Sequence, residues 1–360
     1  VSTASSSIPT TEILTEWGRI GCIGFGGPPT HIALLRDLCV RRRRWLDEQD
    51  FEDAIAACNL LPGPASTQLA IYCAWRLRGR PGAVVGGLAF ILPGLLLIVA
   101  LAAVFLAASP PRWVVGAGAG AGAAVAAVAV QAGWSLVPSS WARTPSRFRW
   151  AFYAAAGCAA AATIGPWLVL VLLVCGAVEL ALPRGALLSV APLVWVAFKV
   201  GALSYGGGFV IIPLMQGDAV ERHHWLSSAQ FLNGVALGQV TPGPVVHTVA
   251  VVGYGAAGVG GAFLAALVAF APSFAFVLIG GSRFDRIRRD ERARAFLDGA
   301  GPAAIGAILG SAIPLARGLH EGWQFGVLAA AAVALLLLRR GVVTTLVAAG
   351  IVGVVITVGT

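Results

Sequence analysis

Charge is scarce in this sequence. Of its 360 residues only 11% are Asp, Glu, Lys or Arg, against roughly 25% in an average soluble domain. The 25 basic and 16 acidic residues gather in a few short clusters. So few ionic groups cannot cover a water-facing surface, and a soluble globule is excluded. Paired cysteines are missing too. The six present (Cys22, Cys39, Cys58, Cys73, Cys158, Cys175) form no CxxC and lie within or beside apolar segments, which suits small packing residues rather than disulfides or metal ligands. There is no HExxH, GxSxG or GxxxxGK[ST] run, and no compact acid cluster inside the apolar stretches. An enzyme is therefore not expected, nor a metal or cofactor. The polar stretch 1–11 lacks the order of a cleavable signal peptide and reads as a tail. A net charge of +9 does not point to nucleic acid, because the basic residues stand between hydrophobic spans, where they orient a chain in a bilayer.

What is abundant is apolar: 58% of residues are hydrophobic and the mean hydropathy is +0.84. Uncharged stretches at 83–107, 114–137, 259–282 and 323–338 are on the scale of the ~20 helical residues that cross a hydrocarbon core. A β-barrel would alternate apolar and polar residues. The run from Leu95 to Leu101 is apolar on every face, so the spans are helices and the fold class is an all-α polytopic membrane protein.

The chain repeats itself. An offset of 180 aligns 21–64 with 201–244 without a gap, and about fourteen of the forty-four pairs are identical. Gly26-Gly27 falls on Gly206-Gly207, Trp45-Leu46 on Trp225-Leu226, and Pro62-Gly63-Pro64 on Pro242-Gly243-Pro244. Register at the rarer Trp and Pro is not a property of greasy helices in general. Beyond Pro64 the copies drift by one position, with Pro93 opposite Pro272, which places a deletion in a loop near Gly79.

The repeat divides the chain into a tail (1–11), a first repeat (12–182), a linker (183–191) and a second repeat (192–360). Crossings are expected at 12–35, 83–107, 114–137, 150–164 and 167–182, then at 192–215, 258–282, 297–317, 323–338 and 342–358. The segments 51–75 and 231–256 are each bisected by Pro-Gly-Pro, which removes two backbone donors, so each is expected to turn back at membrane depth as a broken-helix hairpin. Basic residues on both flanks of the first such segment, Arg41 to Arg44 and Arg76, Arg78 and Arg80, place both flanks in the cytoplasm. Five crossings per copy, ten in all, would invert the second repeat and leave both termini outside the cytoplasm, although Gly26-Gly27-Pro28-Pro29 could instead make the first span a hairpin. Such inverted repeats are the architecture of secondary transporters, whose substrate sits where broken helices meet.

Candidate site residues follow from that centre. Gly26 and Gly27, Gly206 and Gly207, and the turn glycines Gly63 and Gly243 would let helix N-termini approach an anion. Arg19 and Lys199, equivalent under the offset, each lie seven residues before a Gly-Gly pair and together suit a dianion, since a cation inside a span is usually kept for a partner or substrate. Arg19 could instead pair with Glu16 one turn earlier. Ser204, Gln68, Gln239 and Thr241, with Asn59, Thr67 and Thr248, could donate hydrogen bonds to oxyanion oxygens or bond between helices. Glu16, His31 and His247 are candidates for proton coupling. The run Arg41 to Arg44 before Trp45 reads as a topology anchor that could also concentrate anions.

These motifs resemble the chromate ion transporter family in its long form with two fused homologous domains. The likeness rests on Phe25-Gly26-Gly27-Pro28 with His31-Ile32, on Arg43-Arg44-Trp45-Leu46-Asp47-Glu48, on Leu61-Pro62-Gly63-Pro64 with Gln68, and on Leu92-Pro93. In the second copy it rests on Gly206-Gly207-Gly208, Pro213, Gln239 and Thr241-Pro242-Gly243-Pro244. The resemblance implies a carrier that exports chromate across the bacterial inner membrane and confers resistance, with proton coupling plausible. Gly24 and Phe209 depart from the family pattern, which bears on substrate more than on fold. Sulfate or another tetrahedral oxyanion would suit the same dipoles, and matched breaks can also line an anion channel. The expected partners are the oxyanion and the lipid bilayer, with a homodimer left open and no nucleic acid.

Overall fold

The computed structural model describes residues 8–60, 63–107, 109–143, 146–163, 198, 211–280 and 291–359. Among the described residues every regular element is helical and there is no strand. The chain is an all-α polytopic membrane protein, and five helices among the described residues are long and apolar enough to cross a bilayer by length and composition. The expected crossing at 167–182, the linker and most of 192–210 lie outside the described residues.

The first half opens with α1 (Thr10–Ile23) and α2 (Pro28–Arg36), the latter continued by a π-helical turn, Asp37–Arg42. Between them the chain passes through Gly26 and Gly27 at φ +100° and +74°, a region only glycine enters freely. Pro28 and Pro29 then start α2, where a missing N–H costs nothing. Next come α3 (Glu48–Leu60) and α4 (Ala65–Phe105), separated by the Pro-Gly-Pro turn with Gly63 at φ +120°. A straight α4 of 41 residues would be about 60 Å long, twice the hydrocarbon thickness. Instead it reverses at Arg78 (φ −146°, ψ 24°) and Gly79 (φ +60°, ψ −148°). Its second arm folds back on the first: Gly82 and Gly86 sit against Ala74, and Gly87 against Ile71, with no room for a Cβ. Two further helices, α5 (Arg112–Arg143) and α6 (Arg147–Thr163), complete the described first half.

The second half reproduces these features. It runs through α7 (Ile211–Gln216) with a π-helical turn Gly217–Arg222, then α8 (Ser228–Val240) and a 3₁₀ turn Val245–His247. There follow α9 (Thr248–Gly280), α10 (Glu291–Arg317), α11 (Gly322–Ala332) with its π-helical end Val333–Leu337, and α12 (Val342–Gly359). The two early π turns lie 180 positions apart. Each ends in a left-handed residue, Arg44 at φ +51° and His224 at φ +54°, after which Trp45 N–H donates to Cys39 O (2.7 Å) and Trp225 N–H to Ala219 O (2.8 Å). The reversal of α4 recurs in α9 at Ala257 (φ −153°) and Gly258 (φ +60°), 179 positions on. The deletion therefore falls between Pro64 and Arg78, and the expected loop near Gly79 is a two-residue reversal between antiparallel arms.

Ion pairs fix which helix ends lie together. Arg43 meets Glu12 at 3.0 Å and Glu16 at 2.8 Å, Arg76 meets Asp50 at 2.5 Å, and Arg36 meets Glu48 at 3.3 Å and also Glu52. Arg78 donates to Ile8 O at 2.7 Å. The start of α1, the end of the first π turn, the start of α3 and the end of the first arm of α4 thus share one arginine-rich end. α3 and that arm form a hairpin that turns at Gly63.

The same contacts correct the expected crossing at 12–35. That segment does not cross, because the Gly26-Gly27-Pro28-Pro29 break turns it into a second hairpin with both ends at the arginine-rich end. Residue 8 therefore lies at that end, where Ile8 O accepts from Arg78.

Contacts between the halves run in the opposite sense. Gly87, early in the second arm of α4, packs on Phe274, late in α9. Gly118, early in α5, packs on Asn233, early in α8, while Gly318, just past α10, touches Ser228. The starts of α3 and α8 consequently lie at opposite ends of the bundle. Trp17, Phe51, Phe90 and Phe231 are fully buried, and Trp17 Nε1–H is satisfied by Ala70 O at 2.8 Å. Leu88, Leu92, Leu96, Leu267, Ile351 and Val355 are exposed, as suits helices solvated by lipid rather than water.

Candidate functional site

Two helix breaks from different halves touch. The N–H of Gly243, in the second Pro-Gly-Pro turn, donates to the carbonyl of Gly24 at the end of α1 at 3.0 Å. His31, buried on α2, places Nε2 2.9 Å from the same carbonyl and Nδ1 3.2 Å from Ser66 Oγ at the start of α4. A carbonyl can only accept, so the neutral ring donates from Nε2 and accepts the serine proton at Nδ1. One imidazole therefore ties together the ends of α1, α2 and α4, while Gly243 adds the turn before α9.

The packing here depends on absent side chains. A Cβ on Gly94 would overlap the Pro242 carbonyl and the His247 ring, and one on Gly24 would strike His31. Gly243 takes φ +97°. The two histidines stand edge-on to aromatic rings, His31 to Phe90 (5.0 Å) and His247 to Phe270 (5.4 Å). The carbonyls of Ile91 and Pro242 face the His247 ring, yet neither ring nitrogen makes a well-aligned hydrogen bond among the described residues.

The electrostatics follow from which helix ends are satisfied. α2, α4 and the 3₁₀ turn before α9 all begin at this centre, behind Gly27, Pro64 and Pro244, and none has a side-chain cap. The N–H groups of Val245 and Val246 have no backbone acceptor among the described residues. An uncapped N-terminus carries roughly half a positive charge and, where its first residues are not proline, free donors; α2 begins with Pro28 and Pro29 and adds only its dipole. The opposing carbonyl end of α1 is consumed at Gly24 by Gly243 and His31. What remains unsatisfied is donor-rich, a setting that favours an anion.

Other expected residues fall around this centre or away from it. Gly27 approaches the Val245 side chain, and Gly26 is exposed beside it. Gln68, Gln239, Thr241 and Thr248 are buried. Thr241 and Thr248 spend their hydroxyl protons on Leu237 O and Val245 O within their own turns, whereas Thr67 Oγ1 and Gln239 Nε2 have no partner. Gly63 is buried in its turn. Arg19 is exposed on α1 and forms no ion pair among the described residues. Its proposed partner Glu16 is instead held by Arg43 at the arginine-rich end, which removes Glu16 from the centre and overturns the Arg19–Glu16 pairing. That hydrogen bond raises the pKa of Arg43 further, and the guanidinium also lies 5.5 Å over the Trp45 ring. Lys199, Ser204, Gly206, Gly207 and the Asn59 side chain lie outside the described residues.

Three participants escaped sequence reasoning: Ser66, Gly94 and Ser273. Ser66 sits beside Thr67, in the turn after Pro64. Gly94 and Ser273 directly follow the matched prolines Pro93 and Pro272, and Ser273 Oγ is buried without a partner. The repeat itself was the signal that could have found them.

Comparison with known proteins accords with this geometry. The family described as Chromate transporter matches residues 11–180 and 191–354. The chromate transport protein of Cupriavidus metallidurans is 31% identical over 346 residues, covering 88% of this chain and 86% of its own. That of Pseudomonas aeruginosa is 30% identical, covering 85% and 81%, and the probable chromate transport protein of Synechococcus elongatus is 28% identical, covering 84% of each. No solved structure matches. With two consecutive matches spanning nearly all its residues, the chain belongs to the chromate transporter family.

Proposed function

We propose that this protein is a secondary carrier that exports chromate, a tetrahedral dianion, across the bacterial inner membrane and thereby confers chromate resistance. The observation that carries this reading is the convergence of uncapped helix N-termini from both halves on one buried centre, joined by the Gly24–Gly243 hydrogen bond. Two repeats running in opposite senses supply what alternating access needs: a solute held at the contact of two bundles that can rock against each other. The glycines Gly26, Gly27, Gly63 and Gly243 let the backbone reach the solute, and Gln68, Gln239 and Thr67 supply side-chain polarity. Arg19 lies about 14 Å along α1 from its start at Thr10, at about 1.5 Å per residue. An unpaired cation so far from the helix start is costly against lipid, which supports a role facing solute or water, with Lys199 as its counterpart.

His31 and His247 are the groups that could take up a proton during transport, since both touch the turn that must move. The family relationship and the site both favour transport over catalysis. Flux of chromate into proteoliposomes tests the whole reading, with sulfate as competitor and an imposed pH gradient. Saturable chromate flux that responds to the gradient is expected. Failure to carry any oxyanion sinks the assignment, preference for sulfate changes the substrate, and indifference to the gradient removes proton coupling.

A further inference from the structure

The two halves differ in the charges that join the segment before the first π turn to the helix after it. In the first half Arg36 on α2 is ion-paired to Glu48 and Glu52 on α3, and Asp50 to Arg76. At an offset of 180 the corresponding residues are Gln216, Ser228, Leu232 and Gln230, and Gly255 stands opposite Arg76 at the offset of 179. Every charge of that clamp is absent from the second half. In its place is an open polar cavity of about 270 Å³. Gln216 and Ser228 line it, joined by Glu221 from the π turn, Thr163 at the end of α6 and Arg317 at the end of α10. Gln216 is buried, and its side-chain oxygen has no hydrogen-bond partner. Arg317 and Glu221 are exposed and form no ion pair with each other or with any other described residue.

Resting on the carrier reading above, we propose that this cavity is the oxyanion's vestibule at the end of the bundle opposite the arginine-rich one, the exit side of an exporter, with Arg317 as the residue that attracts the anion at that mouth and captures it from outside during exchange. No ion pair among the described residues bridges α7 and α8, and the polar lining of the cavity beside them admits water. A cation in a concave, partly low-dielectric mouth raises the local concentration of an anion about tenfold or more. Glu221 opposes that field and keeps the dianion from resting there. The two side chains therefore act with opposite signs on capture and leave turnover at the centre untouched.

Two measurements test this in reconstituted full-length protein. Exchange of external for internal chromate should show KM raised about tenfold by Arg317→Gln, lowered several-fold by Glu221→Gln and little changed by Arg317→Lys, with Vmax within about twofold throughout. The second readout needs no transport. In Ser228→Cys, with the unsubstituted protein as background, the ratio of modification rates by an anionic and a cationic methanethiosulfonate should fall about tenfold when Arg317→Gln is added and rise with Glu221→Gln. An unchanged ratio overturns the proposal even if chromate is carried. If Arg317→Gln does not insert, Glu221→Gln decides alone, and a KM and ratio it leaves unmoved overturn the proposal equally. A ratio that shifts in a protein carrying no oxyanion would instead sink the carrier reading, leaving an anion-attracting mouth without this solute.

Discussion

The N–H of Gly243 donates to the carbonyl oxygen of Gly24 at 3.0 Å, so a turn from one half of the chain closes a helix end from the other. A rocking motion of the halves must break or bend this bond. The backbones approach closely here too, because Gly94 leaves room for the Pro242 carbonyl and the His247 ring.

Gly94→Ala should therefore lower chromate flux at least tenfold. The added methyl meets backbone rather than a flexible side chain, and overpacking of this kind costs about 1–3 kcal/mol. Flux in proteoliposomes, with thermal stability in detergent as the control for folding, checks this. Flux near the unsubstituted level would show that the contact opens freely.

His31→Gln should retain part of the flux, since an amide can still donate to Gly24 O, whereas His31→Ala should abolish it. Deleting the ring leaves Ser66 Oγ and the Gly24 carbonyl short of a partner in a buried setting, at a cost of about 1–3 kcal/mol per orphaned group. Comparing the pH dependence of flux in His31→Gln with that of the unsubstituted protein tells whether the ring also carries protons. An unaltered profile assigns it a structural part alone.

For Arg19, substitution by Ala should reduce flux about tenfold or more while Lys preserves most of it, since the argument rests on charge at depth rather than on a forked hydrogen bond. Flux equal in all three proteins would remove Arg19 from the solute path.

Arg43→Gln should lower the melting temperature in detergent more than Arg41→Gln does, because only Arg43 satisfies Glu12 and the buried Glu16. Glu16→Gln in the same chain should restore part of the loss, since a neutral amide no longer needs the guanidinium. A double substitution no more stable than Arg43→Gln alone would mean that the stacking of Arg43 on Trp45 matters more than the ion pair.

Much of this was written in local sequence. The Pro-Gly-Pro runs interrupt helices because proline lacks a donor and glycine accepts positive φ, so α3 had to end before Gly63 and α8 before Gly243. The 180-position offset carried over even to π turns and left-handed residues, although the π turns Asp37–Arg42 and Gly217–Arg222 share only Val and Arg at two positions. The first hairpin was less legible. Thr10 to Arg36 holds enough apolar residues for one crossing, and only the contacts of Arg43 with Glu12 and Glu16 show that the segment turns back. Glu16 was paired with the wrong arginine for the same reason: Arg19 is near in sequence, Arg43 near in space.

The sequence by itself determined that this chain lives in a bilayer as helices, that it is a duplicated unit, and where its helices must break, because hydropathy, proline and glycine act within a few residues of themselves. Only the tertiary structure decided which breaks face each other, that Gly24 O is consumed while Val245 and Val246 keep free donors, and that the ionic clamp of one half is a polar cavity in the other. Those outcomes depend on the relative placement of segments some two hundred residues apart, and no local rule encodes it.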